Sequence, residues 1–113
     1  MMDFLDRKTL APGDFVFREG DSGEHAFIIQ SGKIELLKGE TIIAELGPNT
    51  IFGEMALIDG APRMATARAK FDTSLIVIPR SILDAKLKGV DPFVVKLLGI
   101  LVENVRNMAN KLG

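Results

Sequence analysis

The stretch Phe52-Gly53-Glu54-Met55-Ala56-Leu57-Ile58-Asp59-Gly60-Ala61-Pro62-Arg63-Met64-Ala65-Thr66 sets a carboxylate and a guanidinium on either side of a short apolar segment and a Gly/Pro loop. Residues 54–58 suit a single helical turn. Gly53, having no side chain, lets the backbone approach a ligand closely, and the first amides of the turn have no intrahelical partners, so they favour an anion. Arg63 offers a planar fork of donors that matches phosphate oxygens. Glu54, an acceptor when ionised, suits a hydroxyl instead. The pattern fits a small ligand that carries hydroxyls and an anion together.

Upstream of this stretch the chain is strand-like and closely punctuated. Residues 7–10 form a first short strand. Ala11-Pro12-Gly13-Asp14 turns, residues 15–18 continue as aromatic and β-branched strand, and Gly20-Asp21-Ser22-Gly23 turns again. Residues 25–30 form a strand, with Ser31-Gly32 read as a two-residue hairpin connection and residues 33–38 as its antiparallel return, Ile34 and Leu36 on one face. Residues 41–46 keep a period of two that points Ile42, Ala44 and Leu46 the same way. Residues 1–6 are too short on apolar side chains to make a helix with a buried face.

Downstream, Arg63, Ala65, Ala67 and Ala69 alternate with Met64, Thr66, Arg68 and Lys70, so the alanines share the arginine's face. A core normally wants volume, and a row of alanines leaves room for a ligand. Residues 74–78 are a further strand, ended by Pro79. Short, evenly spaced strands with Gly/Pro turns predict a β jelly roll (a double-stranded β-helix) over residues 7–79, mainly β with α, followed by C-terminal helices over 80–112. Ser81 is expected to cap a short helix stopped by Gly89, and Asp91 to cap a long one with Pro92 at its first position. On the long helix Val94, Leu98, Leu101, Val105, Met108 and Leu112 make one stripe, and Phe93, Leu97 and Ile100 a second that turns polar at Asn104 and Asn107. That predicts a first half packed on the barrel and a tail serving as a lid or a weak homodimer seam.

Composition narrows the function. The chain of 113 residues reads as one domain, and a net charge of −1 leaves no electrostatic footprint for nucleic acid. Without cysteine there is no disulfide, thiolate metal site or cysteine nucleophile, which fits a cytoplasmic setting. No signal peptide or membrane span is expected. His25 is the single histidine and reads as a strand residue. A metal site needs several ligands, which disfavours a cupin-like metalloenzyme, and a nucleophile with a general base cannot be assembled. The expectation is a binding module with no cofactor.

Residues 52–66 resemble the phosphate-binding cassette of the cyclic nucleotide-binding domain family, of the catabolite activator protein and protein kinase A regulatory subunit type. There the cassette reads Phe-Gly-Glu, an apolar helical turn, Pro-Arg, a small residue, Ala and Thr or Ser. The Pro-Gly-Asp, Glu-Gly-Asp and Ser-Gly-Lys turns extend the likeness to about residues 10–112. The resemblance implies a regulatory or sensor module for a cyclic purine nucleotide, most readily cAMP, with cGMP as the alternative. Phe52, Gly53, Glu54, Met55, Ala56, Arg63, Met64 and Ala65 would bind it: Glu54 at the ribose 2′-hydroxyl, Arg63 at the phosphate, and the amides of Gly53, Met55, Ala56 and Met64 around it. Removal of Arg63 is expected to abolish binding with the fold intact. Asn104, Val105 and Met108 would form the lid. The departure is Met64, where the family carries Ala, Ser or Thr; cGMP selectivity there is associated with a hydroxyl at this position. Three further readings stand beside it: a degenerate domain serving as a protein-interaction module, a stand-alone sensor acting on an effector protein, and an excised sensor of a transcription regulator or channel.

Overall fold

A computed structural model describes the backbone of residues 5–112 and the side chains of residues 5–108; the first four residues, the last one and the Leu112 side chain of the long stripe lie outside that description. The elements in order are β1 (Arg7–Leu10), β2 (Phe15–Phe17), β3 (His25–Ser31), β4 (Ile34–Lys38), β5 (Thr41–Leu46), β6 (Ile51–Phe52), α1 (Glu54–Asp59), β7 (Thr66–Ala69), β8 (Thr73–Pro79), α2 (Arg80–Leu87) and α3 (Pro92–Leu112). The strands form two four-stranded antiparallel sheets, ordered β1-β8-β3-β6 and β2-β7-β4-β5. Their facing sides enclose Leu10, Phe27, Ile29, Ile34, Phe52, Ala67, Ala69 and Leu75. This is the expected jelly roll with C-terminal helices.

The room beside the alanines is mostly not room for a ligand. Ala67 and Ala69 are fully buried in the cluster that holds Phe27, Ile29 and Leu75, so bulky side chains of the opposite sheet fill it. Of the row, Ala65 reaches a cavity.

Ser31 and Gly32 do not close a hairpin. β3 lies in one sheet and β4 in the other, so the chain turns a corner between the sheets here. Gly32 sits at φ 93°, and a Cβ there would strike the Asp72 carbonyl and Thr73. The Thr73 hydroxyl accepts from the Lys33 amide at 3.2 Å and donates to the Phe71 carbonyl at 2.8 Å, which satisfies polar groups at the corner. A two-residue connection looks like a hairpin locally, but its geometry is set by residues some forty positions away.

Nor do Ile42, Ala44 and Leu46 share a face. Leu36 pairs with Ala44 but Leu37 with Ile42, leaving Ile43 as an extra residue in β5. The bulge reverses the alternation, so Ile42 joins Leu37 on the outer side while Leu46 packs on the core.

α2 starts one residue earlier than expected, after Pro79, and Ser81 makes no cap. The Arg80 amide donates to the Glu24 carbonyl at 2.9 Å, so one opening donor is already satisfied from another loop. Asp91 does cap α3: its Oδ1 accepts from the Phe93 amide at 2.9 Å. The covered line of α3, however, is Leu98, Val102 and Arg106, spaced by four, with Val102 only 7% exposed. Val94, Leu101, Val105 and Met108 are exposed, as are Phe93, Leu97 and Ile100. The first half of α3 does not pack on the sheets. The helix rests on α1, which has only six residues and covers a narrow strip.

Candidate functional site

β6 drives Phe52 into the core, where its ring stacks on Phe27 at 5.3 Å between centroids, and this anchors the start of the cassette. The next residue, Gly53, adopts φ 76°, a conformation glycine takes at little cost, and so redirects the chain into α1. No side chain caps α1, so its first amides are left for water or a ligand. A Cβ at Gly53 would come within 2.8 Å of Arg63 Nη1, so the missing side chain also makes space for the guanidinium.

Arg63 is 6% exposed. Nη1 donates to the Gly53 carbonyl at 2.8 Å and Nη2 to the His25 carbonyl at 2.6 Å, while the guanidinium carbon lies 4.0 Å over the Phe17 ring. These contacts commit one N–H on each terminal nitrogen and leave the other free. Nε is buried and meets no partner among the described residues. Burial lowers the guanidinium's pKa, the carboxylates of Asp21 and Glu54 oppose that shift, and the charge of Arg106 adds to it. Arg63 is thus a structural bridge between β3 and the cassette as well as a cation, so its removal is expected to cost stability as well as affinity.

The far end of α1 is held by a residue that sequence reasoning passed over. Arg80 donates from Nη1 to the Leu57 carbonyl at 2.7 Å, from Nη2 to the Ala56 carbonyl at 2.8 Å and the Gly23 carbonyl at 3.2 Å, and from Nε to the Glu24 carboxylate at 3.1 Å. A cation at the carbonyl end of a helix meets its partial negative charge. Gly23, buried beneath, is needed for its absent bulk: a Cβ there would lie 2.5 Å from Ala56 Cβ and 2.9 Å from Arg63 Cζ.

Phe52, Gly53, Glu54, Met55, Ala56, Arg63, Met64 and Ala65 all line one cavity of about 260 Å³. That is near the lower end of the range for small-ligand pockets, about 300 to 1,000 Å³. Phe17, Leu36, Leu46 and Ile51 add an apolar wall. Glu54 is half-buried there, and its carboxylate has no hydrogen-bond or ion-pair partner among the described residues. The expected lid residues are elsewhere: Asn104, Val105 and Met108 are exposed and do not line the cavity. They lie off the strip of α3 that faces α1. Among the described residues of α3, Arg106 reaches the cavity, in line with Leu98 and Val102. The four-residue spacing of those three was the available signal. Gly23 and Arg80 gave none, because their partners are distant in sequence.

An apolar wall, a buried guanidinium, a carboxylate without a hydrogen-bond partner and a set of uncapped amides are groups that can hold a small ligand bearing an anion and hydroxyls. Among the described residues no group of three side chains could hold a metal ion.

A double-sheet roll with such a cavity under its cassette helix defines a ligand-binding module. Residues 7–89 match the family description of the cyclic nucleotide-binding domain, and the chain belongs to that family. It is 30% identical over 110 residues to the cyclic AMP receptor protein of Thermus thermophilus, covering 93% of this chain and 51% of that protein. It is 32% identical over 89 residues to the cAMP-dependent protein kinase regulatory subunit of Hypocrea atroviridis, covering 79% of this chain and 19% of that one. Among solved structures, the cAMP-bound form of the EAL enzyme Bd1971 superposes with a TM-score of 0.81 at 29% identity, over 95% of this chain and 30% of that one. The chain therefore spans about half, or less, of the curated relatives it matches.

Proposed function

We propose that this chain binds a cyclic purine nucleotide, cAMP in preference to cGMP, and acts as a regulatory module without turning the nucleotide over. The observation that carries the reading is the convergence of the cassette residues on one cavity, with Arg63 and Glu54 both reaching it. Arg63 would meet the cyclic phosphate with its remaining N–H groups, joined by the amides of Gly53, Met55, Ala56 and Met64. Glu54 would accept from the ribose 2′-hydroxyl. The purine would lie against the apolar wall. At Met64 the thioether is at best a weak acceptor, so it offers the guanine amino group little. The loss of one neutral hydrogen bond, about 0.5 to 1.5 kcal/mol, favours cAMP by up to about tenfold.

Calorimetric titration with both nucleotides in one buffer tests this. Binding of both, cAMP tighter, is expected; equal or tighter cGMP binding would show that another residue reads the base, and no heat with either would leave the degenerate-domain reading. Nuclear magnetic resonance of cAMP held with the protein for days should show the nucleotide intact. The exposed apolar residues of α3 would serve an effector protein or a second copy of this chain. No helix among the described residues is long and apolar enough to cross a membrane, and the cysteine-free composition fits a cytoplasmic setting.

A further inference from the structure

Between Arg63 and Thr66 the chain is held from outside the cavity. The Arg63 amide donates to the Asp21 carbonyl at 2.8 Å, and the Arg63 carbonyl accepts from the Gly20 amide at 2.8 Å. The Thr66 hydroxyl accepts from the Glu19 amide at 2.9 Å. Between these two points the Met64 carbonyl accepts from Lys38 Nζ at 3.0 Å. Glu19, Gly20 and Lys38 do not line the cavity, whereas Arg63, Met64 and Ala65 do.

The described peptides are all trans, and in a planar trans peptide the N–H points away from the C=O. Holding the Arg63 carbonyl at Gly20 therefore turns the Met64 amide the other way, toward the cavity side. Holding the Met64 carbonyl at Lys38 does the same for the Ala65 amide. Ala65 is 7% exposed, and neither amide has a hydrogen-bond partner among the described residues. A buried amide left unpaired is costly, and successive backbone amides facing one way make a concavity that suits an anion. Lys38, at the end of β4, is the one side chain in this set of clamps that carries a positive charge. Its Nζ lies 3.8 Å from the Glu19 carboxylate, which also accepts from the Gly39 amide at 3.3 Å, so the ammonium is steered from both sides.

We propose that Lys38 is a positioning residue for the ligand's anionic group: by drawing the Met64 carbonyl outward it presents the Ala65 amide to the cavity, beside that of Met64, as a further anion donor. The grip on the carbonyl stands on the geometry alone, while the use of the Ala65 amide rests on the nucleotide-binding reading. Lys38 acts on the anion only through the peptide it holds, since a charged partner on the carbonyl polarises the N–H across the same amide.

The test uses the full chain labelled with nitrogen-15 and carbon-13, as wild type, as Lys38→Met, which keeps the length and removes the charge, and as the conservative Lys38→Arg. In nucleotide-free protein the Met64 carbonyl carbon signal should move in Lys38→Met and return most of the way in Lys38→Arg. On titration with cAMP the Ala65 amide proton should shift downfield in the wild type, and that shift should shrink in Lys38→Met. Affinity for cAMP should fall about 3- to 10-fold in Lys38→Met, the worth of one hydrogen bond, and recover in Lys38→Arg. A Met64 carbonyl signal indifferent to Lys38→Met, an Ala65 amide unmoved by cAMP that the wild type does bind, wild-type affinity in Lys38→Met, or a Lys38→Arg as impaired as Lys38→Met would each overturn the proposal. If neither cyclic nucleotide binds the wild type, the nucleotide-binding reading and the donor role of Ala65 fall together, and the nucleotide-free carbonyl signal still decides whether Lys38 holds the peptide.

Discussion

Gly23→Ala should impair binding without removing any group that touches the ligand. The added Cβ would stand 2.5 Å from Ala56 Cβ and 2.9 Å from both Cζ and Nε of Arg63. Carbon atoms rest at about 3.5 to 4.0 Å, so the overlap with Ala56 is about 1 Å. Ala56 cannot escape by turning a side-chain torsion, since its Cβ is fixed to a helix that Arg80 pins by two carbonyls. Arg63 can swing aside, but only by breaking its bonds to the Gly53 and His25 carbonyls. Overpacking of this kind costs about 1 to 3 kcal/mol of stability. Displacing the guanidinium from an anion removes a charged hydrogen bond worth about 1.5 to 3 kcal/mol, or about 10- to 150-fold in affinity. Thermal unfolding by circular dichroism and calorimetric titration with cAMP read the two effects, with Ser22→Ala, exposed in the same loop, as the unaffected control. A Gly23→Ala protein with wild-type melting temperature and affinity would refute the account of how Arg63 is seated.

Arg63→Lys should lose stability as well as affinity, because a point charge cannot bridge the two carbonyls and lie over Phe17 together; chemical denaturation should show a loss of about 1 to 3 kcal/mol. Glu54→Gln should weaken cAMP binding by about 1.5 to 3 kcal/mol and hardly affect the 2′-deoxy analogue; additive losses in that protein–ligand cycle would move Glu54 away from the ribose. Self-association through α3 should be weak and should disappear in Met108→Glu, since Met108 is 64% exposed in the single chain; sedimentation at several concentrations checks it, and indistinguishable monomers would favour an effector protein as the occupant.

The cassette was legible in the sequence because it is local: one helical turn and one loop fix the spacing of Phe52, Glu54 and Arg63, and no distant contact is needed to recognise it. The roll was legible from the rhythm of its turns. The crossing at Ser31–Gly32 was not, since Thr73, which shapes it, enters from another strand. The bulge at Ile43 left the alternation of β5 intact as written and reversed it as folded. On α3 there was more apolar surface than one short helix could cover, and periodicity alone could not choose the line that α1 takes. The roles of Arg80 and Arg106 depend on partners 23 and 47 residues away, Leu57 and Asp59, beyond the reach of a local pattern.

Arg80 also decides where the C-terminal part of the molecule can bend. By tying the start of α2 to the end of α1 and to the loop at Gly23, it makes those segments one stiff block. The slack then falls to the link between α2 and α3, where Gly89 takes φ 86°, and α3 becomes a lever about that pivot. At 1.5 Å per residue a helix of 21 residues is about 30 Å long, and a tilt of about 10° carries its tip through about 5 Å. Arg106 grips the lever about 20 Å out from the pivot, so a small force there balances a large torque.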